Sequence, residues 1–90
     1  MPKFLAVHPF PSLPTFAEAL PIARMVKASS TVAAYWIRSY AQMNEEGKVM
    51  KLFCEWNAKN TEAIRKVIAK IPIQTEGIYP LEIVDSEDFR

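Results

Sequence analysis

Proline sets the limits of most elements in this chain. Beyond Pro2, prolines stand at positions 9, 11, 14, 21, 72 and 80. Each fixes its own φ, offers no N–H, and pushes the residue before it toward extended backbone. The apolar run Phe4-Leu5-Ala6-Val7-His8 ends at Pro9, which gives it the length and punctuation of a strand. Pro9, Pro11 and Pro14 keep the next segment extended. Thr15 and Glu18 then have capping-box spacing, and Phe16, Leu20, Ala23 and Val26 follow at helical intervals. Pro21 falls inside that pattern, where a proline costs about 3 kcal/mol. The sequence therefore predicts a kinked helix or one that starts near Pro21, ending at Ser29-Ser30.

Residues 31–40 are rich in β-branched and aromatic side chains and read as a strand. Asn44 to Lys48 is a polar turn, and Val49 to Trp56 is the partner strand of a hairpin. Asn60 is a helix N-cap. Ala63, Ile64, Val67, Ile68 and Ile71 form one apolar stripe, and Pro72 stops the helix. Gly77 precedes a last strand, Ile78 to Val84, interrupted by Pro80. A sheet tolerates proline at an edge but not at its centre. The order β-α-β-β-α-β is the split βαβ pattern of a ferredoxin-like α+β fold. It predicts a four-stranded antiparallel sheet with two helices on one face, in a single domain over residues 1–90. The charged tail 85–90 is expected to fray unless Phe89 docks.

The formal charge of +1 supplies no basic field to gather nucleic acid or anionic lipid. Cys54 is the lone cysteine, which excludes an intrachain disulfide and fits a reducing compartment. The N-terminus has no signal-peptide pattern, and no run approaches the roughly 20 apolar residues of a membrane span. A soluble cytoplasmic protein is expected. The strands carry apolar bulk on both faces, whereas helices cover only one. Trp36, Trp56 and Tyr40 share even parity, so the alternation expects them on one face. A homodimer packed sheet against sheet would cover such a surface. The alternative is a monomer covered by the tail and the proline-rich loop.

Few residues can carry chemistry. His8, the only histidine, ends the first strand and has an ordinary pKa near neutrality. Cys54 is a candidate thiolate, or simply a small buried hydrophobe. Arg38 and Tyr40 are expected to share a face with Trp36, where an arginine beside aromatics binds a carboxylate or a planar ligand. The plainer reading of Arg38 is a rim ion pair with Glu55 or Glu82. Glu55 should point away from Cys54 and Trp56. There is no glycine-rich phosphate loop, nucleophile elbow, HExxH helix or paired-cysteine zinc site.

The opening Met1 to His8 resembles a domain-of-unknown-function family of small ferredoxin-like proteins. So do Trp36-Ile37-Arg38-Ser39-Tyr40, Gly47-Lys48 through Phe53-Cys54-Glu55-Trp56, Glu62-Ala63-Ile64 and Ile78-Tyr79-Pro80. Some members of that family bind nickel. The resemblance implies a dimeric α+β barrel, with His8 and Cys54 matching metal-ligand positions. The nickel-binding members also carry helical histidines. This chain has none, with Val67 and Ile68 on the second helix. A nickel or other transition-metal site would need oxygen ligands or a second subunit.

Three functions follow as expectations. The first is a dimer that holds a small ligand, or a transition metal, in a pocket lined by His8, Trp36, Arg38, Tyr40 and Cys54. The second is a small cofactor-free enzyme of monooxygenase or isomerase type. There His8 is the general base, and Arg38 or Tyr40 stabilises negative charge. The third is an interaction module with no site.

Overall fold

Helices start where a side chain can take over their free backbone amides, and both helices here do so as the sequence predicts. The computed structural model describes residues 1–90. Helix α1 (Phe16–Ser29) opens with a full capping box: Glu18 N–H donates to Thr15 Oγ1 at 3.1 Å, and Thr15 N–H donates to Glu18 Oε1 at 2.9 Å. Helix α2 (Thr61–Ile68) is capped by Asn60, whose Oδ1 accepts from Ala63 N–H at 2.9 Å.

The strands are β1 (Lys3–Pro9), β2 (Ala34–Met43), β3 (Val49–Ala58) and β4 (Gly77–Pro80). They form one antiparallel sheet in the order β2-β3-β1-β4, which makes the chain a βαββαβ α+β fold. β4 lies at an edge, as Pro80 requires. The β2–β3 turn closes on Asn44, whose Oδ1 accepts from the Glu46 and Lys48 amides, while Gly47 takes a φ of 77°. Both helices cover one face. Val26, Ile64, Val67 and Ile68 pack there on Phe4, Ala6, Cys54 and Trp56.

Besides β2 running on to Met43 and β3 to Ala58, element limits differ from the sequence reading in three further places. β2 starts at Ala34, not Thr31. Thr31 and Ala34 close a small turn through Thr31 N–H to Ala34 C=O at 2.8 Å, and this leaves Val32 94% exposed. β4 ends at Pro80, and Ile83 and Val84 lie exposed beyond it. α2 ends at Ile68, yet Ile71 stays buried because a tighter turn, Ile71 N–H to Ile68 C=O at 2.9 Å, carries the stripe onward. The tail forms a 3-10 turn at Ser86–Phe89 with Phe89 exposed.

The largest correction lies in β2. Trp36 stands opposite Trp56, but Arg38 stands opposite Glu55 and Ser39 opposite Cys54. One residue, Ile37, is extra on the β2 side, and this β-bulge reverses the alternation. Trp36 and Ser39 therefore both face the helices. Arg38 and Tyr40, expected beside Trp36, face the other way. The two tryptophans thus lie beneath the helices and contribute nothing to a second apolar face. That outer face carries Leu5, Val7, Phe53, Tyr40 and Tyr79 together with an ionic cluster. Lys3 Nζ lies 2.9 Å from Glu55 Oε2, and Arg38 Nε lies 3.5 Å from Glu55 Oε1.

α1 runs from Phe16 through Pro21 to Ser29, so the alternative of a helix starting near Pro21 does not hold. Pro21 has no N–H to give to the Ala17 carbonyl, one turn earlier. Pro21→Ala should therefore raise stability by about 1–2 kcal/mol, less than the full helix-interior penalty because the unfolded chain gains freedom. Urea unfolding of the two proteins measures this.

Candidate functional site

The helix face that α1 turns to the sheet mixes Ile22 and Val26 with two small side chains. Ala19 and Ala23 stand one turn apart on it, and beneath them the sheet offers Ser39, Ala41 and Cys54. Neither surface has the volume to meet the other, and a cavity of about 390 Å³ remains. Sixteen of its nineteen lining residues are hydrophobic; the exceptions are His8, Arg38 and Ser39. Phe16 and Leu20, four residues apart on α1, line it and are also exposed, which puts its mouth beside the N-terminal half of that helix.

His8 is 3% exposed. Its ring is held through Nδ1, which lies 2.9 Å from the Gln74 carbonyl oxygen and 3.2 Å from Thr75 Oγ1. A carbonyl only accepts, so Nδ1 carries the proton and Nε2 keeps its lone pair. Nε2 has no hydrogen-bond partner in the protein and is not sealed off. Burial pushes the His8 pKa below its ordinary 6.5, and the Gln74 hydrogen bond opposes this only in part.

Cys54 lies diagonal to His8 across the β1–β3 ladder. Trp36 Nε1–H donates to Ser39 Oγ at 2.9 Å, and the Ser39 hydroxyl donates to Cys54 Sγ at 2.9 Å. Burial pushes the thiol up to about 11, with the Ser39 hydrogen bond opposing. Cys54 is therefore a neutral thiol at physiological pH. Trp56 Nε1 is buried without a partner, although Trp56 lines the cavity.

Of the residues the sequence singled out, the fold brings His8, Trp36 and Cys54 to this cavity. Arg38 borders it, but its guanidinium pairs with Glu55 on the opposite face, as the plainer sequence reading had it. Tyr40 is exposed on that face, and Glu82 is exposed after β4. Ser39 and the Gln74–Thr75 segment were not singled out from the sequence. Ser39 meets Trp36 on its own strand only because of the bulge, and Cys54 and His8 meet their partners from 15 or more residues away.

His8 and Cys54 supply two metal donors, and no group of three His, Cys, Asp or Glu side chains gathers anywhere in the chain. A four-coordinate nickel or zinc site needs more, and needs the thiol ionised. A partner packed against the outer sheet face could not complete the set, because both side chains point to the helices. The donor set of one chain does not fit a bound transition metal.

No family model and no curated protein matches the chain. Among solved structures, SCO4226 from Streptomyces coelicolor A3(2) is similar, with a TM-score of 0.74 over 92% of this chain and 99% of that one. At 13% identity the likeness shows a shared small α+β fold and no more. No helix is long and apolar enough to cross a membrane.

Two measurements probe these environments. The unfolded chain takes up a proton on His8 near its ordinary pKa of 6.5, whereas the folded chain resists it. Stability from this group is complete above that value and falls as the pH drops through it toward the lower folded pKa. Between about pH 7.5 and pH 5, the wild type should lose more stability than His8→Asn in chemical denaturation. Cys54 should react with an aromatic disulfide reagent at about pH 8 at least roughly a hundredfold more slowly folded than in urea. Equal rates would contradict the raised thiol pKa.

Proposed function

We propose that this protein binds a small, largely apolar organic molecule in the cavity beneath α1, with His8 as the polar point that orients it. The observation that carries this reading is an apolar cavity of about 390 Å³ with one fixed, nearly buried imidazole whose Nε2 is unpartnered. Ligand pockets run from roughly 300 to 1,000 Å³ and combine apolar walls with a few placed polar groups. The free Nε2 also favours a second reading, in which His8 acts as general base in a cofactor-free enzyme.

Binding can be read without labels, because Trp36 and Trp56 both line the cavity. A naphthalene-based dye should gain fluorescence on binding and quench the tryptophans. Ala23→Phe puts a ring where the helix leaves space, and Ala19→Leu does so more mildly. Both should remain folded by circular dichroism and weaken dye affinity by about tenfold or more, since overpacking a filled site costs about 1–3 kcal/mol. Undiminished affinity in both folded variants would place the dye elsewhere and remove the reading.

A further inference from the structure

We propose that the cavity selects uncharged molecules bearing a hydroxyl group, and that His8 Nε2 accepts the hydrogen bond of that hydroxyl. The inference rests on the binding reading above and adds the chemical class of the ligand.

Three observations define that class. The first is the fixed proton position on His8. Nδ1–H is committed to the Gln74 carbonyl, so the ring offers the cavity an acceptor and no donor. The second is that Trp36, Ser39 and Cys54 are already engaged with one another, while Trp56 Nε1, which has no partner, is sealed from the cavity. Ser39 accepts from Trp36 and donates to Cys54, so its hydroxyl proton is not free to pair with a ligand or with His8.

The third is charge. No lysine, aspartate or glutamate lines the cavity. The one lining arginine, Arg38, has its guanidinium on the other face of the sheet, 3.5 Å from Glu55. An anion would enter with no counter-charge and would turn its oxygens toward the Nε2 lone pair. A cation would likewise find no carboxylate. Either ion loses its hydration without replacement. A hydrocarbon enters freely but strips water from Nε2 and leaves that acceptor unpaired. A neutral hydroxyl compound avoids both penalties: its apolar body meets the aromatic and aliphatic walls, and its O–H meets Nε2.

The test compares three probes of one shape on the full chain at about pH 7.5: naphthalene, 2-naphthol and 2-naphthoate, read by tryptophan quenching. The expected result is that 2-naphthol binds about tenfold tighter than either of the others, the size of one hydrogen bond made in a dry site. His8→Asn can keep a donor where Nδ1 stands while removing Nε2. This variant should bind 2-naphthol and naphthalene alike. In addition, ring-nitrogen NMR of the wild type should show the Nε2 resonance shift on addition of 2-naphthol, and this readout does not depend on the variant folding. Equal wild-type affinities for 2-naphthol and naphthalene, or a still Nε2 resonance at saturation, would overturn the hydroxyl proposal and leave the cavity as a binding site. Failure of all three probes to bind would overturn the cavity reading as well.

Discussion

The extra residue at Ile37 governs what the sheet shows to the helices. Strand side chains alternate with a period of two, so uninterrupted pairing would have sent Arg38 and Tyr40 inward with Trp36 and put Ser39 outside. The bulge reverses this after one residue. The guanidinium goes to Glu55 on the outer face, and a hydroxyl takes its place under α1. Two consequences follow from the single insertion. The cavity holds no charge, and Trp36 finds in Ser39 an acceptor for its indole N–H, 2.9 Å away. The next bond, from Ser39 to Cys54, also ties β2 to β3 on the face that meets the helices.

The cavity itself comes from small residues that no single element contains. α1 contributes Ala19 and Ala23, β2 contributes Ser39 and Ala41, and β3 contributes Cys54. Larger side chains at any of these sites would have closed the gap, as they do under α2, where Ile64 and Val67 are fully buried. A short chain has little core to spare. Leaving one end of it unfilled, while holding His8 in place with two contacts from the segment after α2, is the physical basis for reading the space as a site.

This division also explains what could be read from the sequence. The order of elements, both N-caps, the edge position of β4 and the outward direction of Glu55 follow from local rules: helical spacing, capping residues, a strand proline and simple alternation. The faces of Arg38 and Tyr40 did not, because a bulge changes no residue type and leaves the β-rich pattern of residues 34–43 intact. A pocket at His8, Trp36 and Cys54 was expected, but the small residues that open it were illegible for a different reason. Alanines at positions 19, 23 and 41 look like ordinary filler until the fold sets them opposite one another. The His8 to Gln74 contact spans 66 residues, and no pattern in either segment announces it.

The same geometry weighs binding against catalysis. A histidine acting as a base becomes an imidazolium, and enzymes that use one this way commonly place a carboxylate on the far nitrogen to stabilise that charge. Here the far nitrogen meets a backbone carbonyl and a threonine hydroxyl, which orient the ring but carry no charge. Burial also disfavours the protonated form, which keeps His8 in the state that accepts a hydrogen bond. The groups once expected to stabilise a developing anion, Arg38 and Tyr40, lie on the opposite side of the sheet. Trp36 N–H is already spent on Ser39, and Trp56 N–H, though unpartnered, is fully buried and does not face the cavity. A site with a fixed acceptor, an apolar wall and no counter-charge holds a neutral hydroxyl better than it removes its proton.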